Sequence, residues 1–144
     1  MSNLSRFLKQ NKTVKPNAKY APTASLTDEN GKPLEWEFKH ITSKENEDLR
    51  DNCTMDVPIT GKPNLFRQKF KTREYLAKLV AMSVAEPDLY NAQLQDSYGV
   101  KTPTDLLYAM VVSPGEYQDL CAWVQSFQGF NETLEDKAEE AKNS

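Results

Sequence analysis

The chain has 144 residues, 38% hydrophobic and 27% charged, with a net charge of −3 at pH 7; this is one ordinary domain, able to bury roughly two thirds of the surface its unfolded chain exposes. Six Tyr, six Phe and two Trp supply too much apolar bulk for a chain disordered throughout. No apolar run approaches the roughly 18–20 residues of a membrane span, and the opening MSNLSRFLKQNKTVK lacks the apolar stretch of a secretory signal, so the expected compartment is the cytosol.

Every charged side chain in residues 1–20, namely Arg6, Lys9, Lys12, Lys15 and Lys19, is basic. Such dispersed positives, with few aromatics among them, fit a solvated or partner-docking arm better than the compact patch of a nucleic-acid binder. Leu4, Phe7 and Leu8 recur at i, i+3 and i+4, the pattern of a short amphipathic turn that orders only by docking. The polar, Pro-containing stretch NKTVKPNAKYAP reads as a linker. Residues 1–20 are thus expected to be a flexible basic arm and 21–130 a single globular domain.

A hairpin is expected over about 23–41. Ala24 and Leu26 lead into Asp28-Glu29-Asn30-Gly31-Lys32-Pro33, where Asn30-Gly31 tolerates the positive φ of a tight turn. Alternation beyond it puts Leu34, Trp36 and Phe38 on one face, which must pack on helices. Thr42 with Glu45 forms a capping box for a helix over 43–52. Residues 54–71, with two Pro and a Gly, read as a loop with an extended piece, long enough to be either mobile or used for binding.

The remainder is helical. Thr72 is placed to cap a helix over 73–85 that presents Tyr75, Leu76, Leu79 and Val80 and stops before Pro87. Asn91 caps a helix over 92–98 closed by Gly99. Thr102-Pro103-x-Asp105 and Ser113-Pro114-x-Glu116 each join a hydroxyl cap, Pro at the first helical position and an acid in the first turn. They open helices over 103–112 and 114–128. Residues 131–144 carry five acids against Lys137 and Lys142, with almost no apolar face, and are expected to fray. The fold class is therefore α+β, mainly α: an N-terminal β-hairpin on a bundle of about five short helices.

No catalytic, cofactor or metal constellation emerges. His40 is the single histidine, which rules out a multi-histidine metal site, and its place on the Trp36/Phe38 strand suits a structural role better than a general base. Cys53 and Cys121 lack CxxC spacing and read as reduced, buried apolar thiols. Gly31-Lys32 and Gly61-Lys62 end like phosphate loops, but neither has the upstream glycine and each Lys precedes Pro. Asp48, Asp51 and Asp56 read as a solvated face.

One string stands apart: Leu94-Gln95-Asp96-Ser97-Tyr98-Gly99-Val100. It resembles the LQDSYGV segment of the phage XkdN-like tail assembly chaperone family. The likeness runs through Phe7-Leu8-Lys9-Gln10-Asn11, through Asp28 to Glu37 as D-x-x-G-x-P-x-x-W-E, and through Leu49-Arg50 with Cys53-Thr54. It continues in Leu106-Leu107 with Met110, in Pro114-Gly115-Glu116-Tyr117, and in Gly129-Phe130. Ser113 stands where a Thr is expected, and residues 55–71 match poorly.

The resemblance implies a non-catalytic chaperone of a phage or prophage, of contractile-tail type, that binds the long tail tape measure protein and keeps it soluble during assembly. It implies action in the bacterial cytoplasm and absence from the mature virion. The tail tube protein is a further partner to weigh, self-association is open, and neither membrane nor nucleic acid is expected. A structural tail tube or baseplate adaptor is the alternative. Leu4, Phe7 and Leu8 in the arm, with Val57, Ile59, Leu65 and Phe66 in the loop, are the candidate client contacts, since amphipathic surfaces suit a helical client with apolar stripes.

Overall fold

A computed structural model describes residues 3–130; the acidic segment 131–144 lies outside the described residues. The elements in chain order are α1 (Leu4–Phe7), a 3-10 turn (Lys9–Asn11), β1 (Ala18–Tyr20), β2 (Trp36–Phe38), α2 (Ser43–Asn52), β3 (Thr54–Pro58), β4 (Phe66–Phe70), α3 (Thr72–Ser83), β5 (Val84–Glu86), α4 (Ala92–Ser97), α5 (Pro103–Met110) and α6 (Pro114–Phe127). The fold is α+β with helix dominant, as expected. The five expected helices are α2 to α6, each within two residues of its expected ends.

Helix starts follow their caps. Thr42 and Glu45 form the complete capping box of α2. Asn91 accepts from the Leu94 N–H, and Thr102 from that of Asp105. Two caps depart from expectation. Thr72 lies inside α3, because strand pairing persists up to Lys71, whose N–H donates to the Cys53 carbonyl at 2.8 Å. Ser113 makes no side-chain cap bond, and the acid three residues on, Glu116, turns outward to another segment. Both α4 and α6 close on a glycine with positive φ: Val100 N–H reaches the Gln95 carbonyl past Gly99, and Phe130 N–H reaches that of Gln125 past Gly129. This is the closure in which a left-handed glycine frees the next N–H to satisfy an orphan helical carbonyl.

The sheet differs from the expected hairpin. Residues 27–33 do turn back on themselves, with Gly31 at φ 80°, Leu34 N–H donating to the Leu26 carbonyl, and a single bridge between Thr27 and Pro33. The strand partners of β2, however, come from elsewhere. β1 pairs antiparallel on one side (Ala18 with Phe38, Tyr20 with Trp36) and β5 on the other, in the order β1-β2-β5. Thus the end of the expected arm is a strand, and so are Val84 and Ala85, expected as the last turn of α3. Pro87 keeps Glu86 out of helical backbone, and the extended Val84 pairs with the open edge of Phe38.

The stretch expected as a loop is a second sheet. β3 and β4 form an antiparallel ribbon, with Thr54 opposite Phe70 and Pro58 opposite Phe66. The core lies between the first sheet and the bundle. Phe38, Leu79, Val80, Leu106, Leu107, Leu120 and Val124 are wholly buried, with Trp36 beside them. Helix α3 packs against α2, α5 and α6, burying Tyr75, Ala77, Leu79, Val80, Ala81 and Ser83.

Candidate functional site

The chemistry-bearing side chains are occupied structurally. The His40 ring stacks on Phe127 at 4.0 Å between centroids, and its Nε2 lies 3.1 Å from the Pro16 carbonyl. The stack continues through Trp123 to Tyr20, at 5.0 and 4.7 Å, with Phe38 edge-on to Trp123 at 4.9 Å. Offset and edge contacts of this kind add to area burial. Cys53 and Cys121 are free and buried, and burial pushes both thiols up; Tyr117, shifted strongly up mainly by its own burial, sits against Cys121 and Tyr108. Among the described residues no three His, Cys, Asp or Glu side chains are grouped to hold a metal ion, and no helix is long and apolar enough to cross a membrane.

What remains on the surface is apolar and polar contact area. Leu4 and Phe7 of α1 are 68% and 84% exposed. The β3–β4 ribbon carries Leu65 and Phe66, also exposed, while Val57 and Ile59 are half-buried. Register sorts them onto two faces. Met55, Val57, Ile59, Leu65, Arg67 and Lys69 share one; Thr54, Asp56, Pro58, Phe66, Gln68 and Phe70 share the other. The expected contacts Leu65 and Phe66 therefore point to opposite sides of the ribbon. The arm and ribbon sets belong to separate elements.

The base of the ribbon is fixed. The Arg50 guanidinium lies 4.6 Å from the Phe70 ring centroid and 5.7 Å from that of Tyr75, favourable cation–π geometry. The Tyr75 hydroxyl donates to Asn46 Oδ1. Beside this cluster a polar groove is lined by Glu47, Arg50, Asp51, Thr54, Asp56 and Gln68. Sequence reasoning missed the exposed Met55, Arg67 and Lys69. Alternation at Met55/Val57/Ile59 and again at Leu65/Arg67/Lys69, either side of Gly61, was the signal that could have found them.

Against this geometry, comparison with known proteins places the molecule among the phage tail assembly proteins. A family model described as phage XkdN-like tail assembly chaperone protein matches residues 4–142, nearly the whole chain. The chain belongs to this family. It is similar to the phage-like element PBSX protein XkdN of Bacillus subtilis (strain 168), 23% identical over 138 residues, covering 95% of this chain and 92% of that protein. It is similar also to the uncharacterized protein YqbN of the same organism, 22% identical over 118 residues, covering 82% and 78%. The crystal structure of the protein YqbN superposes with a TM-score of 0.74 at 16% identity, over 91% of this chain and 99% of that one, and shows the same fold.

Proposed function

We propose that this chain is a non-catalytic chaperone that binds the tail tape measure protein in the cytoplasm of the bacterial host, keeps it soluble while the tail is built, and leaves before the virion is complete. The observation that carries this reading is the apolar area left uncovered on two projecting elements, Leu4 and Phe7 in α1 and Met55, Leu65 and Phe66 on the β3–β4 ribbon. Exposed apolar side chains on projecting elements suit transient capture of an amphipathic client. Family membership supports the tail-assembly role.

Co-expression with the tape measure gene of the same phage tests it. Soluble tape measure protein should increase with this chain present and should co-purify with it. An insoluble tape measure in both cases overturns the reading. Mass spectrometry of purified particles separates the alternative: stoichiometric chain in finished particles would mean a structural tail tube or baseplate adaptor.

A further inference from the structure

The ribbon offers a more specific contact than exposed apolar area. Its inward hydrogen bonds fall at the odd-numbered pairs: Ile59 N–H donates to the Leu65 carbonyl at 3.0 Å, and Lys71 N–H to the Cys53 carbonyl at 2.8 Å. In an antiparallel pair hydrogen-bonded and non-bonded positions alternate. The pairs Pro58–Phe66, Asp56–Gln68 and Thr54–Phe70 are then the ones whose backbone groups point away from the partner strand. On the β3 side Pro58 has no N–H to offer, and that edge is interrupted. On the β4 side Phe66 and Gln68 turn both N–H and C=O outward, every residue from Phe66 to Lys69 is exposed, and no third strand joins this sheet among the described residues.

An open edge of this kind takes an added strand. The charges of β4 decide which. Two copies of β4 paired antiparallel about Gln68 would set Arg67 of each against Lys69 of the other, and like charges directly opposite repel. The strand has no acid of its own. Its cationic face, Arg67 and Lys69, calls for acidic side chains, while Phe66 on the other face calls for apolar ones.

We propose that the outer edge of β4 is a strand-addition site for an extended segment of a protein client that alternates acidic and apolar residues, bound through the backbone of Phe66 and Gln68 and selected by Arg67 and Lys69. This rests on the chaperone reading above for the source of the segment, and its test is separable from that reading.

The probe is a dye-labelled peptide alternating Glu and Val, titrated into the full chain by fluorescence anisotropy. Gln68→Pro removes the outward N–H and leaves the inward ladder intact, since that N–H does not face β3. Both Gln68→Pro and the double variant Arg67→Glu/Lys69→Glu should weaken binding about tenfold or more, and the double variant should instead accept a peptide alternating Lys and Val. A wild-type chain that does not bind the Glu/Val peptide overturns the proposal. So does undiminished binding by Gln68→Pro; if that variant melts below the wild type, the surface double variant decides alone, and equal peptide affinity there overturns it. Co-expression with the tape measure separates the two readings. Tape measure solubilised by wild type and not by the folded edge variants supports the site; tape measure solubilised equally by both overturns it and leaves the chaperone reading standing. Failure of the wild-type chain sinks the chaperone reading, and the peptide titration then decides the edge.

Discussion

Gln128 and Ser83 meet where α6 ends and α3 passes into β5: the Gln128 amide donates to the Ser83 hydroxyl oxygen at 2.9 Å. The same amide donates to the Lys39 carbonyl at 3.0 Å, and its oxygen accepts from the Ile41 N–H at 3.1 Å. Ser83, wholly buried, in turn donates to the Leu79 carbonyl. One side chain thus ties the C-terminal end of α6 to the segment that follows β2 and to the end of α3. Gln128→Ala should lower unfolding free energy by about 2–3 kcal/mol, from the lost bonds and the backbone groups left unsatisfied. Gln128→Glu should cost at least as much, since a carboxylate faces two oxygens where the amide donated. Denaturant titrations of the two variants check the order.

Trp36 is 3% exposed and packs beside Phe38 in the core. Trp36→Ala should destabilise by about 3–5 kcal/mol. Trp123 lies between Tyr20 and Phe127, so Trp123→Ala should also loosen β1, an edge strand of its sheet. A larger acceleration of amide exchange at Tyr20, which pairs with Trp36, than at Glu37 would report this; equal acceleration across the sheet would contradict it.

Glu74 holds Lys71 at 2.7 Å and Lys78 at 2.9 Å. Hydrogen bonds from these two ammonium groups lower its carboxyl to about 2 from an ordinary value of 4.5. A lowered folded-state value means the stabilising contribution is complete above about pH 4.5 and disappears as pH falls through about 2. The thermal midpoint of Glu74→Gln should therefore lie below wild type at neutral pH, and the two should converge between these limits. The gap should shrink in high salt, because the pairs are partly exposed. A constant gap down to pH 2 would exclude this origin.

Both cysteines are buried with raised thiols. Native protein should react slowly with a thiol reagent at pH 8 and release both equivalents promptly in denaturant, because the thiolate is the reactive form. Fast reaction of either thiol in the native state would place it in an open conformation.

Deleting residues 1–12 removes Leu4, Phe7 and Leu8 and none of the buried core residues. The melt of the remaining chain should stay within about 1 kcal/mol of wild type, while co-purification with the tape measure falls. Undiminished co-purification would remove the arm from the contact surface.

Much of this architecture could be read from residues. The capping box at Thr42 and Glu45, the Thr102 cap and the glycines closing α4 and α6 are local instructions, and local chemistry determined the outcome. The strings that carry the family resemblance fall on such features: Gln95 and Gly99–Val100 close α4, Gly129–Phe130 close α6, and Trp36 enters the core. What could not be read was pairing at long range. Nothing local says that Trp36 to Phe38 will choose Ala18 to Tyr20 and Val84 to Glu86 over the adjacent 23–27. That choice depends on partners remote in sequence. Glu116 takes the Thr23 hydroxyl at 2.8 Å and the Ala24 N–H at 2.9 Å, committing this segment to α6, and Tyr20 finds Trp123. For the client surface, the apolar residues were visible, while their division between two faces awaited the register of β3 and β4.

The position of β2 sets an order of events at the ribosome. Its two neighbours lie on opposite sides of it in the chain, and the later one, β5, is made only after α2, the ribbon and α3. Until then Phe38 has one edge unpaired, and the aromatic slab waits longer still, for Trp123 and Phe127 near the end of the described chain. Closing such distant contacts is slow compared with local helix formation. A nascent chain paused before Val84 therefore carries Trp36 and Phe38 uncovered, and this interval is when the newly made protein would itself be most prone to aggregate.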